Sequence, residues 1–371
     1  MMNYTRFSGS YNTSDVIFLL KDISKLIKEE DNLTREVAMD SGTHYSEMLP
    51  IEYHPSEEYM NIFRSTLQRS KNKIANLIQI VSEKILNKNV DNLVLVSLAR
   101  AGTPIWSLIK RYIKLKYKLD LPHYSISIIR DKGVDKNAIK YIIDNHPNCN
   151  IQFIDGWTGK GVIQDTLISS CNDFYKEYGI KLDPALAVLS DPAYASKTYG
   201  TREDFLIPSA CLNSTVSGLV SRTVHNDKFI FKDDFHGAKF YSEWSKIDVS
   251  NFFINEISKC FNRLTSNKKD FIINEKDTIV DYRGLSEVNR IKELFNIKNI
   301  NHIKPGIGET TRVLLRRVPW RILVDSLDNP NLIHIYKLAE DRGVPIMVYS
   351  DMSYSCCGII MEMTRWFTLQ I

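Results

Sequence analysis

The chain has 371 residues, 43% of them apolar and 25% charged, with a formal net charge of +4. That length fits two or three domains with at least one full core, and the small net charge excludes a strongly basic tail while allowing a local basic face. No apolar run is long enough to span a bilayer, and the polar start MMNYTRFSGSYNTSD lacks a signal peptide's apolar stretch, so a cytoplasmic protein without a membrane partner is expected. The six cysteines stand at 149, 171, 211, 260, 356 and 357 with no CxxC pair, which argues against a zinc knuckle.

Residues 1–90 read as largely helical. SDVIFLLKDISKLIKEED opens on the caps Ser14 and Asp15 and has helical apolar spacing, and SEEYMNIFRSTLQRSKNKIANLIQIVSEKIL reads as one long helix. Then the pattern changes. NLVLVSLA, ending at Ala99, is a continuous apolar run, the mark of a strand buried on both faces. HYSISIIR, IQFIDGW and ALAVLSDP are further strands, DFLIPSACL (204–212) is a candidate fifth, and helical patterns stand between most of them. Alternation of this kind predicts an α/β fold with a doubly wound, mostly parallel sheet. Ligands of such sheets sit at the carboxyl ends of the strands, where the loops after Ala99, Arg130, Asp155 and Ser190 lie. SGTHYSEMLPIEYHP (41–55) can close over that edge as a hood or lie as a surface loop.

The polar LTSNKKD (264–270) is the best linker, giving domains at 1–263 and 271–371. The second unit reads as a smaller α/β sandwich. DTIVDY, WRILVDS and VPIMVYS are its strands, and SEVNRIKELFNI, GETTRVLLRRV and LIHIYKLAEDRG its helices.

Two loops are suited to anions. In IQFIDGWTGKG a buried strand delivers Asp155, Gly156, Trp157, Thr158, Gly159, Lys160 and Gly161 to the sheet edge ahead of a helix N-terminus. The glycines let backbone N–H groups turn inward, Thr158 adds a hydroxyl and Lys160 a charge. A tight strand-to-helix turn without ligand has the same composition. In SLARAGTP, Arg100, Ala101, Gly102 and Thr103 can grip a second anion or simply start a helix. Cys211 raises a different chemistry. It follows a strand-like run and precedes a helix-like one, and a helix N-terminus makes a thiol nucleophilic. His236, with Asp233 or Asp234 beside it, can complete a Cys–His–Asp set; a buried structural cysteine is the alternative.

The words SLARAGTP, HYSISIIR, IQFIDGWTGKG, TREDFLIPSACLNSTVSGLVSRT and DFHGAKFY resemble the phosphoribosyltransferase-like family of bacterial tellurium-resistance and stress gene clusters. The resemblance implies a phosphoribosyltransferase-like fold that binds phosphoribosyl diphosphate, or a related ribose phosphate, with Mg²⁺. Asp155 would face the ribose and reach the metal through the ligand, residues 156–161 would hold the 5-phosphate, and Arg100 with 101–103 the diphosphate. Transfer to a nucleobase, nucleotide or RNA-linked substrate would follow. Gly156 stands where the ribose motif has a second acid. The same family also carries the label of a StiP-type cysteine peptidase, the role Cys211 would serve, and a non-catalytic RNA-binding sensor of a phosphorylated ribose is a third reading.

KPGIGETTRVLLRRV resembles the Pelota-like RNA-binding domain over roughly 275–362. That resemblance implies RNA contact through Lys304, Gly306, Gly308, Glu309, Thr310, Arg312 and Arg316, with phosphates at the helix N-terminus.

Overall fold

The computed structural model describes residues 8–88, 91–265, 279–316 and 319–360. The first unit runs through strands β1 (Ile17–Leu19), β2 (Lys21–Asp22) and β3 (Glu29–Glu30), helix α1 (Asn32–Asp40), β4 (Leu49–Pro50) and the long α2 (Glu57–Lys88). The alternating part follows: β5 (Leu93–Ala99), α3 (Gly102–Tyr117), β6 (His123–Ile129), β7 (Gly133–Val134), α4 (Lys136–Asn145), β8 (Asn150–Trp157), α5 (Val162–Tyr178), β9 (Leu186–Ser190) and β10 (Thr198–Thr201). Next come β11 (Gly237–Ala238), α6 (Ser250–Ser258) and α7 (Phe261–Thr265).

The main sheet is ordered β1-β6-β5-β8-β9-β10, all parallel, with β7 antiparallel on β6. The apolar β5 takes the interior place its sequence predicts, with Val96 opposite Tyr124 on one side and Phe153 on the other. One face packs on α2, α3 and α6 through Ile74, Ile78, Trp106, Ile109 and Phe253. The other packs on α4 and α5 through Ile139, Ile142, Leu167 and Phe174. Gly161, at φ 84°, starts α5, and Gly179, at φ 71°, ends it.

Three sequence expectations change. Residues 14–31 are not a helix: Ile17, Phe18 and Leu19 pair with Tyr124, Ser125 and Ile126 at the sheet edge, and tertiary pairing outweighs local periodicity. Residues 204–212 form no strand, because Pro208 opens a 3₁₀ turn over Pro208–Cys211, and β10 takes the next place in the sheet. In DTIVDY, residues 277–278 lie outside the described residues, as does most of the linker, and 279–282 form no strand.

The second unit holds α8 (Arg283–Leu294), β12 (Ile303–Pro305), α9 (Ile307–Arg316), β13 (Arg321–Val324), α10 (Ile333–Asp341), β14 (Ile346–Val348) and β15 (Cys356–Ile359). Its sheet is ordered β12-β15-β13-β14. The architecture is thus α/β, with a mostly parallel central sheet and a smaller C-terminal domain. Ile307, Leu314 and Ile322 of the second unit join the same buried cluster as Ala210, Cys211 and Leu212 of the first, so a continuous core runs between them. Among the described residues no helix is long and apolar enough to cross a membrane.

Candidate functional site between the two domains

The carboxyl ends of β5, β8 and β9 meet the N-terminus of α9. The loop after β5 is packed hard against β8. A Cβ on Gly102 would lie 2.7 Å from the Ile154 carbonyl oxygen, so only glycine fits. Thr103 is buried and shares a 2.8 Å hydrogen bond with Ser125. Arg100 donates to Glu52 at 3.3 Å and to the Val220 carbonyl at 3.2 Å. Glu52 also accepts the Ser214 N–H. The segment 41–55 does close over this edge: the Arg130 N–H donates to the Tyr45 hydroxyl at 2.8 Å and Arg222 to the Tyr45 carbonyl at 2.9 Å.

The groups of the 155–161 loop are already engaged. Asp155 accepts the Gly156 N–H at 2.7 Å. Burial lifts its carboxyl to about 6, with the Gly156 N–H pulling it back and Glu309 adding to the rise. Thr158 is buried and donates to Asp191 at 2.6 Å. Gly159 gives its carbonyl to the Tyr354 hydroxyl at 2.5 Å, and Lys160 donates to the Ile300 carbonyl at 2.6 Å. Burial, then Lys304, lowers the Lys160 ammonium to about 8. A Cβ on Gly161 would meet the Tyr282 ring at 2.9 Å. Tyr282, Ile300 and Tyr354 all come from the second unit, so the C-terminal domain covers the loop that was expected to hold a phosphate.

Asp204 fixes α9 in place. Its carboxylate accepts the Ile307 N–H at 3.0 Å and the Ser355 N–H at 2.9 Å. Burial lifts this carboxyl to about 6, against the pull of those two donors. Gly308 rests on the first unit, where a Cβ would be 3.3 Å from the Ala210 methyl and 3.6 Å from the Trp157 ring. Thr310 is buried, donates to the Lys304 carbonyl and accepts the Gly358 N–H. Gly306 donates to the Cys356 carbonyl at 2.8 Å, and Arg312 pairs with Glu309 at 2.9 Å. The Arg316 side chain lies outside the described residues. The edge expected to touch RNA therefore faces the first domain.

A small cleft remains at this junction, lined by Arg100, Trp157, Ala210, Leu212 and Arg312 among others. Cys211 lies between two lining residues but is itself only 1% exposed. It ends a 3₁₀ turn and does not begin a helix, so the expected lowering by a helix dipole is absent. Burial pushes its thiol up to about 12, with the Arg312 guanidinium pulling it back.

The Cys–His–Asp set is not assembled. His236 Nδ1 is 2.9 Å from Ser127 Oγ at the tip of β6, and burial pushes its ring down to about 3. Asp234 pairs with Lys21 at 2.6 Å. Cys211 belongs to the region over β8, because Ala210 and Trp157 pack on the same glycine. β5 stands between β6 and β8, and two strand spacings are about 10 Å. Among the described residues no cysteine thiol is hydrogen-bonded to a histidine ring, and no three His, Cys, Asp or Glu side chains gather as a metal cage.

Residues 9–258, which contain the sheet, this loop and Cys211, match the family described as the tellurite-like stress resistance cysteine protease StiP. The chain belongs to the StiP family. Residues 282–362 match the PELOTA RNA binding domain. The chain is also similar to the cysteine protease StiP of Acinetobacter baylyi, 32% identical over 354 residues, covering 93% of this chain and 91% of that protein. The stress context expected from the sequence agrees with these descriptions.

The transferase expectation does not survive. The StiP family and this relative are named as cysteine proteases, not as phosphoribosyltransferases. The ribosyl-transfer role of Arg100 and Asp155 falls with it, and the placing of a phosphoribosyl ligand on residues 101–103 and 156–161 is left without support. The local physics agrees, since Arg100, Thr103, Thr158 and Lys160 already have protein partners. Magnesium was expected only with that diphosphate, and no step proposed for this site uses it.

Three acids that organise the site were missed. Glu52 holds Arg100 and Ser214, Asp191 holds Thr158 and Arg202, and Asp204 caps α9. Asp191 had a signal, because it ends the apolar run ALAVLS at the carboxyl edge. Glu52 and Asp204 sit in segments whose partners are remote in sequence.

Proposed function

We propose that this protein is a cysteine peptidase with Cys211 as its nucleophile, and that the form described here is closed. The observation that carries the assignment is position. Ala210 and Leu212, on either side of Cys211, line the cleft with Arg100, Trp157 and Arg312. The other cysteines are worse placed. Cys171 is buried in the core between sheet and α5, Cys149 precedes β8 at the opposite edge, and the Cys260 thiol is 3.8 Å from the Glu256 carbonyl after α6. Cys356 and Cys357 are fully buried in β15.

In the reaction the Cys211 thiolate attacks a peptide carbonyl carbon. A C–S bond forms, the C–N bond breaks, and the leaving amine takes a proton. Water then hydrolyses the thioester to a carboxylate and returns the thiol. A thiol held near 12 is not ionised at neutral pH, so the closed form is latent. Displacement of α9 would give Cys211 to solvent and lower that value. The C-terminal domain is proposed to bind RNA, on the strength of its PELOTA match.

The test is cleavage of an unfolded-protein digest by the full chain, read by mass spectrometry, beside Cys211→Ala and Cys171→Ala. New termini are expected with wild type and Cys171→Ala and none with Cys211→Ala. Equal cleavage by Cys211→Ala would remove the assignment.

A further inference from the structure

Two arginines at the carboxyl edge of the main sheet lack a counter-charge. Arg222 and Arg130 both lie against the Tyr45 ring, their guanidinium carbons 4.8 Å and 5.9 Å from its centroid. Arg222 donates to the Tyr45 carbonyl at 2.9 Å, and Arg130 donates to Asn301 Oδ1 at 3.0 Å. Among the described residues neither forms an ion pair, whereas Arg100 beside them is held by Glu52. Burial, then Arg35, lowers the Arg222 guanidinium to about 10; Tyr45 opposes this, and Arg100 and Arg130 add to it. Arg222 is therefore still charged at neutral pH. Charges drawn out of water are normally paired, and like charges around a half-buried one add to its cost. Arg130 is exposed, and the remaining nitrogens of Arg222 are open to solvent. This arrangement suits an anion supplied from outside the chain.

The position of these arginines selects the anion. Arg222 shares a chain segment with Cys211. From Cys211 that segment reaches Ser214, whose N–H is held by Glu52, then Val220, whose carbonyl accepts from Arg100, and then Arg222. Its far end lies over β6: the His225 ring meets the His236 ring edge-on at 4.8 Å, and His236 is bonded to Ser127 at the tip of β6. Cys211 stands over β8, two strand spacings or about 10 Å away. An extended chain advances about 3.3 Å per residue. A peptide laid across this edge with its reacting carbonyl at Cys211 therefore brings a side chain about three residues away to Arg222 and Arg130. A guanidinium fork matches the two oxygens of a carboxylate. Phosphate fits the same fork, but both arginines lie in the unit that carries the nucleophile, not in the unit proposed to bind RNA.

We propose that Arg130 and Arg222 select acidic substrates by binding a glutamate or aspartate side chain about three residues from the cleaved peptide bond. The proposal rests on the peptidase reading and deepens it by naming the substrate class.

The test uses full-length Cys211→Ser, so that binding is measured without turnover. An unstructured peptide with two adjacent glutamates, and its twin with two glutamines, each carry a neutral dye and are titrated by fluorescence anisotropy. The glutamine twin is expected to bind about tenfold more weakly or worse, the loss that accompanies removal of one charge-assisted contact. Arg222→Gln should erase most of that difference and Arg222→Lys should restore part of it. Arg130→Gln, at an exposed position, should reduce the difference as well and guards against a folding defect in the Arg222 variants. Equal affinity of the two peptides, or a glutamate preference that survives Arg130→Gln with Arg222→Gln, would overturn the proposal. So would an RNA oligonucleotide that loses as much affinity in the double variant as the acidic peptide, which would give these arginines to phosphates. Cys211-dependent cleavage of a protein digest without enrichment of acidic residues about three positions from the new termini would overturn it too. Absence of cleavage with the glutamate preference intact would instead count against the peptidase reading alone.

Discussion

At the scale of single residues, Cys211 shows both the reach and the limit of the sequence. Its place after a strand-like run and before a helix-like one marks it as a candidate nucleophile. The helix N-terminus expected there is absent, since Pro208 imposes a 3₁₀ turn and burial raises the thiol to about 12. His236 was legible only as a nearby histidine in sequence; its bond to Ser127 is a consequence of packing over β6. Reactivity tests this directly. Thiolate forms only as pH approaches a thiol's own value, so Cys211 in the closed protein should gain little iodoacetamide between pH 7 and 9. It should label about tenfold or more slowly than the partly exposed Cys260. Peptide mapping after timed quenching measures both. A Cys211 labelling midpoint near 7 would show an already activated thiol and contradict latency.

At the scale of elements, buried strands were the most readable part. β5 and β9 are nearly continuous apolar runs because both faces are covered, while β6 and β8 keep enough Ile and Phe to read as strands despite Ser125, Ser127 and Gln152. β1 was not readable, because three residues at an edge take their conformation from β6. The Gly102 approach to Ile154 was also hidden, since a helix-start glycine looks the same with or without a close neighbour. Gly102→Ala should cost about 1–3 kcal/mol, the usual range for overpacking. Urea midpoints at constant slope would measure it, and an unchanged midpoint would refute the tight contact. The α9 N-terminus offers a second test. Asp204→Ala removes the acceptor for Ile307 and Ser355 N–H groups and should cost about 1–3 kcal/mol. The same variant should speed Cys211 labelling. Slower or unchanged labelling would mean that α9 does not guard the thiol.

At the scale of the whole molecule, the sequence showed two units and said nothing of how they meet. Docking depends on pairs remote in sequence, such as Tyr354 with Gly159 and Lys160 with Ile300. Gly308, at the start of the GETTR word, rests on Ala210 and Trp157, so RNA proposed to approach Lys304 and Arg312 would compete with the first domain. Asp204→Ala should therefore bind a structured RNA more tightly than wild type and show a steeper loss of affinity with salt. Filter binding at several salt concentrations gives both quantities, and weaker binding with a flat slope would place RNA elsewhere. The central claim is that Cys211 is a peptidase nucleophile held latent by this docking. Acid-quenched mixtures of full-length protein and an unfolded substrate, mapped by mass spectrometry, test it most directly. The account predicts a peptide thioester on Cys211, more abundant in Asp204→Ala than in wild type; peptide cleavage with no adduct on Cys211, undiminished in Cys211→Ala, would contradict it.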